Sequence, residues 1–197
     1  MTMRIKEISS TEYDSFSEPA FVYNTVPFAR LNAPKVADVH YLAIGEDGRR
    51  PRFGLILGER DGRLLSPFSA PFGGFEQHGK QNIQLMEEAV GLLKNYAADR
   101  HLGVEVALPP LLYDETRISK WVSVFTRGGF RSVIDLNYYF NVRRFAEYKT
   151  LIDRSARKNL NRSLKENFHL VRLDSVDKKD VARAYEVIRH NREEHGY

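Results

Sequence analysis

Through the first third of the chain, apolar residues come in short runs bounded by turn residues. Further on they recur every three to four positions, so a sheet interleaved with helices is predicted. Arg4-Ile5-Lys6-Glu7-Ile8 reads as a short strand, and Ser9-Ser10-Thr11-Glu12 supplies a capped helix start before Tyr13 and Phe16. Pro19, Pro27 and Pro34 interrupt residues 17–36. Phe21, Val22, Tyr23, Val26 and Phe28 nevertheless keep that stretch apolar, which predicts short or irregular helix packed on something and not a linker. Strands are expected over 40–44, 52–58 and 63–68. The turns Glu46-Asp47-Gly48 and Arg60-Asp61-Gly62 separate them and make an antiparallel meander.

Pro71-Phe72-Gly73-Gly74-Phe75 then forms a loop ahead of a long helix over 81–100, whose apolar face is Ile83, Met86, Val90, Leu93 and Ala97. Gly103 stops that helix. Val104, Val106 and Leu108 continue as a strand closed by Pro109-Pro110, which completes a strand–helix–strand crossover. A helix around 118–125 places Trp121 in helix packing, and Gly128-Gly129 breaks it. Over 131–142, Ile134, Leu136, Tyr138, Phe140 and Val142 alternate with Asp135, Asn137, Tyr139 and Asn141, so a strand with one core face and one wet face is predicted. A charged helix follows from Arg143, then a strand over 169–173 and a helix over 179–195 buried through Val181, Ala184, Tyr185 and Ile188. One strand and one helix cannot close a core. Residues 166–197 are therefore expected to open a second unit that this chain does not complete, and to be disordered or to dimerise in a homodimer.

The 197 residues carry 30 Lys+Arg against 26 Asp+Glu, and the excess is uneven. Residues 143–197 hold 14 basic and 9 acidic side chains, whereas residues 1–142 are nearly balanced. Between 154 and 165 lie Arg154, Arg157, Lys158, Arg162 and Lys165 with no acidic residue. These five are the candidate anion- or phosphate-binding set. A solvated connecting helix explains the same charges equally well. There is no cysteine, hence no disulfide framework and no thiolate nucleophile. No apolar run approaches the roughly 20 residues of a membrane helix, and no signal peptide begins the chain, so no membrane span and a cytoplasmic location are expected. His190 and His195 are the only histidine pair near a ligand spacing. Five residues put them about 140° apart on a helix, so no metal site is expected.

The order of elements over 1–142 resembles the GNAT N-acyltransferase fold. The expected class is α/β (α+β), a GNAT-like mixed, mostly antiparallel twisted sheet flanked by helices, with a C-terminal helical and strand extension. The stretch Ala156-Arg157-Lys158-Asn159-Leu160 through Phe168-His169-Leu170-Val171, with Val181-Ala182-Arg183-Ala184-Tyr185 and Arg192-Glu193-Glu194-His195-Gly196, looks like the junction in Fem-type proteins. Those are tandem GNAT-like domains that include peptidoglycan aminoacyltransferases drawing on aminoacyl-tRNA. The resemblance implies a GNAT-like domain at 1–142, a basic connecting helix at 143–165, and the first strand and helix of a second GNAT-like domain at 166–197. It also implies an anionic substrate, an aminoacyl-tRNA or a nucleotide-linked precursor, and acetyl-CoA or another acyl donor.

In that family the loop before the long helix holds the pyrophosphate of acetyl-CoA on backbone N–H groups. The matching residues here are Phe72, Gly73, Gly74 and Phe75, although the family's glycine spacing is not reproduced. A tight turn anchored by the two phenylalanines accounts for the loop as well. Where many GNAT enzymes carry a tyrosine acid four residues before a Gly-Phe pair, this chain has Phe125 before Gly129-Phe130. Glu76 is a candidate base, against the plainer reading of a carboxylate favoured near a helix start. Asp135, Asn137 and Tyr139 are expected on one wet face. Three functions follow: a degenerate N-terminal half of an acyl- or aminoacyltransferase, inactive alone; a non-catalytic binding module; or an acetyl-CoA enzyme with a non-standard loop.

Overall fold

The computed structural model describes residues 2–79 and 82–196, and the chain divides into two compact units, Met1–Asn137 and Tyr138–Tyr197. Lys80 and Gln81, the expected loop end and helix start, lie outside the described residues.

The first unit is a mixed α/β sheet of six strands among the described residues. They are β1 (Arg4–Ile8), β2 (Asp38–Gly45), β3 (Phe53–Arg60), β4 (Arg63–Ser66), β5 (Glu76–Gln77) and β6 (Gly103–Val106). The order is β1-β2-β3-β4-β6, antiparallel up to β4, with β6 parallel to β4; β5 pairs with β3 beyond the end of β4. The helices are α1 (Ser10–Phe16), α2 (Val26–Asn32), α3 (Ile83–Ala98) and α4 (Glu115–Arg127). Single 3₁₀ turns at Val22–Asn24 and Ala33–Lys35 flank α2, as the proline spacing predicts.

Local chemistry explains the boundaries. Ser9 and Glu12 close a capping box on α1, and Asn82 and Asp114 accept backbone N–H bonds at the starts of α3 and α4. Asp61 and Gly62 both adopt positive φ, which matches the hairpin between β3 and β4 to the strand twist. Helix α3 then carries the chain across the sheet so that β6 can lie parallel to β4.

Both faces of the sheet are covered. On one side Leu42, Ile44, Phe53, Leu55, Leu57 and Leu64 pack against Met86, Ala89, Val90 and Leu93 of α3 and Trp121, Val124 and Phe125 of α4. On the other, Tyr41, Ile56 and Leu65 meet Tyr13 of α1, Val26 and Ala29 of α2, and Phe68. Each valine, leucine, isoleucine, methionine or phenylalanine among them stabilises the fold by about 1.5–3 kcal/mol when buried. Residues 53–58 of β3 are buried on both faces, with Gly54 and Gly58 in the places where Tyr13 and Phe68 press against the strand.

The expected strand over 131–142 does not form: residues 130–141 have no regular secondary structure and no ladder partner among the described residues, and Ile134 and Leu136 are 86% and 84% exposed. Alternation selects a face, but a strand also needs an edge that accepts its hydrogen bonds. The strand expected over 169–173 is missing for the same reason.

The second unit contains α5 (Tyr148–Leu151), α6 (Arg154–Ser163) and α7 (Lys178–Glu194), preceded by a 3₁₀ turn at Val142–Glu147. The rings of Phe140, Phe145 and Tyr148 form a small cluster, and Asp153 and Asp177 cap α6 and α7. Contrary to the expected burial of α7, Val181, Tyr185 and Ile188 are exposed, because the described residues of this unit supply no sheet to receive them.

Candidate functional site

The loop after β4 brings Phe72, Gly73, Gly74 and Phe75 together, but as packing. Phe72 sits edge-on to Phe21 and Tyr23, with ring centroids 5.0 and 5.2 Å away. Phe75 stacks on Trp121 at 4.6 Å with the rings nearly parallel. Between them the Gly73 N–H donates to the Ala107 carbonyl at 2.8 Å and the Gly74 N–H to Ser66 Oγ at 3.0 Å. Gly74 has φ +93°, and a Cβ on Gly73 would lie 3.0 Å from Pro67 N, so the glycines are required by the turn and by close approach. Phe125 is buried against Trp121 and Phe130 and has no proton to give.

Glu76, on β5, is 6% exposed. Its carboxylate accepts from Ser17 Oγ at 2.8 Å, Tyr13 Oη at 3.3 Å and the Glu18 backbone N–H. Burial, and then the Glu76 charge, push the Tyr13 hydroxyl well above its ordinary value, so it stays a donor. The carboxylate therefore fastens the end of α1 to the sheet. His78 follows on the same face, its Nε2 3.8 Å from Glu76 Oε1 and its ring edge-on to Phe16. Burial holds the His78 imidazole below its usual range, which keeps it neutral at pH 7.

Beside His78 opens a cleft of about 380 Å³ lined by Glu46, Arg49, Arg50, Pro51, Arg52, His78 and Gly79. It is assembled by the short β3–β5 pairing, which continues with a bond from the His78 N–H to the Arg52 carbonyl at 2.9 Å. Glu46 lies between Arg49 and Arg52 at 3.1 and 2.8 Å, and Arg50 reaches Glu18 at 2.7 Å and the Phe16 carbonyl at 2.8 Å. These arginines are legible as a basic run, Arg49-Arg50-Pro51-Arg52. As turn residues, however, they carry no signal of a partner across the sheet.

A second polar cluster ties β1, β2, β3 and α3 together. His40 Nδ1 is 2.8 Å from Glu7 and its Nε2 3.3 Å from Glu59. Tyr96 Oη donates to Glu7 at 2.7 Å, and Arg100 lies over the Tyr96 ring while reaching Glu7 at 3.2 Å. Burial raises the Glu7 pKa, but the hydrogen bonds from Tyr96 and His40 and the charges of His40 and Arg100 outweigh it and hold it below the ordinary 4.5. Because the folded-state value is the lower one, Glu7 stabilises the fold above about pH 4.5, and that contribution is lost as pH falls through the lowered value. Urea midpoints of the native protein and Glu7→Gln should accordingly differ at pH 7 and converge toward pH 3. A gap unchanged by acid would contradict this.

Arg154, Arg157, Lys158 and Arg162 lie on α6 with Lys165 just beyond it, and all five are exposed. Arg154, Lys158 and Arg162 share one helix face, while Arg157 turns back to the Ile152 carbonyl at 3.2 Å. Asp135, Asn137 and Tyr139 are exposed along with their apolar neighbours and form no pocket. Among the described residues no group of three or more His, Asp or Glu side chains could hold a metal ion, and no helix is long and apolar enough to cross a membrane. No protein-family model, curated protein or solved structure gives a significant match to this chain.

Proposed function

We propose that this chain is a non-catalytic, acyltransferase-like module: a GNAT-like domain of the Fem type that binds and positions, together with the opening of a second such domain. The observation that carries this reading is the use made of the Gly73 and Gly74 amides. Both N–H groups donate within the protein, to Ala107 and Ser66, so the loop offers neither to a diphosphate. The absence of a hydroxyl at Phe125 supports the same reading. So does the run of four antiparallel strands followed by the α3 crossover to a parallel β6. The basic row on α6 is the surface this reading offers to a phosphate-bearing donor such as an aminoacyl-tRNA.

Calorimetric titration of the full chain with coenzyme A and acetyl-CoA tests the proposal. No saturable heat that depends on the 72–75 loop is expected, so the native protein and Gly73→Asp should respond alike. Saturable binding abolished by Gly73→Asp, in a variant whose circular dichroism is native, would overturn the reading and favour an acetyl-CoA-dependent enzyme with a non-standard loop.

A further inference from the structure

We infer that the cleft between the β2–β3 turn and residues 78–79 is a binding site for the phosphate oxygens of a ligand, with Arg49 and Arg50 as its principal donors. This inference is independent of the acyltransferase reading, since none of its residues belongs to the 72–75 loop or to α6.

The argument begins with charge. Three guanidinium groups from one four-residue turn face the cleft, and Arg49 and Arg52 share the single Glu46 carboxylate while Arg50 pairs with Glu18. Arg49 thus shares its Glu46 partner with Arg52. Next comes donor count. A guanidinium has five N–H donors; toward described residues, Arg50 uses Nη2 for Phe16 and Glu18, and Arg49 Nη1 makes an ion pair with Glu46. Arg49 keeps its Nε–H and Nη2 groups, a planar fork that fits two phosphate oxygens at once, while Arg50 keeps its Nε–H and Nη1 groups, which point apart and donate singly.

The third point is preorganisation. The turn is clamped by the Arg52 N–H bond to the Ile44 carbonyl at 2.8 Å, and the opposite wall by the His78 bond to Arg52. Glu46 fixes the plane of Arg52, and the Phe16 carbonyl fixes that of Arg50. Little ordering of Arg50 therefore remains when a ligand arrives. Finally, the His78 ring lies in the wall of the cleft, where its resonances report on what occupies it. Phosphate is favoured over carboxylate because the Arg49 fork engages two oxygens and leaves a third, which a carboxylate lacks, for an Arg50 N–H.

The test is a proton NMR titration of the full chain with inorganic pyrophosphate at constant ionic strength, following the His78 ring resonances. A saturable shift is expected, weakened at least about tenfold in Arg49→Gln and in Arg50→Gln, and unchanged in the α6 control Arg154→Gln. Arg50 also anchors the end of α1, so Arg49→Gln, which breaks only the contact to Glu46, is the deciding variant if Arg50→Gln unfolds. Acetate at matched ionic strength serves as the carboxylate probe and should leave His78 unshifted. No saturation by pyrophosphate, equal saturation in Arg49→Gln, or an equal response to acetate would each overturn the inference. Coenzyme A binding that survives Arg49→Gln but not Gly73→Asp would overturn the functional reading and leave this one standing.

Discussion

Trp121→Ala is expected to lower the unfolding free energy of the first unit by about 3–5 kcal/mol, among the largest losses available to a single truncation. Trp121 is 3% exposed, stacks on Phe75, and meets the rings of Phe53 and Phe125 edge-on or tilted. Removing the indole opens a cavity where sheet, helix α4 and the 72–75 loop converge. None of the three can close it without giving up contacts elsewhere. Chemical denaturation monitored by far-UV circular dichroism reads the effect as a large fall in midpoint at unchanged slope. A loss under about 1 kcal/mol would mean that the loop and α4 pack independently of the sheet. The expectation also bears on function, because the same stacking that stabilises the core holds Gly73 and Gly74 in the turn that consumes their amides.

The second large effect is expected at Gly54. A Cβ there would stand 2.5 Å from Tyr13 Oη and 3.0 Å from its Cζ, and Tyr13 is fully buried with its hydroxyl on Glu76. Gly54→Ala should therefore cost about 1–3 kcal/mol through overpacking, although alanine suits a strand better than glycine does. In a Tyr13→Ala background the obstruction is gone and the same substitution should be neutral or stabilising. The double-mutant cycle isolates that difference, and equal costs in both backgrounds would show that the glycine is needed for some other reason.

What the residues make legible is what local chemistry decides. The Ser9 and Glu12 box, the three-to-four spacing from Ile83 to Ala97, and Asp61-Gly62 each carry their structural instruction within a few positions. Helices α1 and α3 and the β3–β4 hairpin lie where those signals put them. The segment over 131–142 shows the complement of this. Its alternation is as regular as any in the chain, yet no edge among the described residues pairs with it. Strand β5 is hidden for the opposite reason: two residues are too few to show a period, so Glu76 and Gln77 give no hint that they pair with Gly54 and Phe53. That pairing is what brings His78 to the arginine turn, and without it the cleft cannot be foreseen. The aromatic loop at 72–75 is ambiguous for a related reason, since glycines beside phenylalanines suit both a phosphate cradle and a packed turn. Only the destinations of the amides distinguish the two.

Strand β3 has no solvent-facing side between Phe53 and Gly58. Large side chains there fill one layer, while the glycines make room for large side chains arriving from the other. An outer strand such as β1 can drift at alternate positions, because Arg4 and Lys6 reach water. Strand β3 has no such freedom in either parity: even its smallest residues are held by what they must leave empty. A larger residue at Gly54 or Gly58 is therefore tolerated only when Tyr13 on α1 or Phe68 in the loop after β4 is reduced to match it.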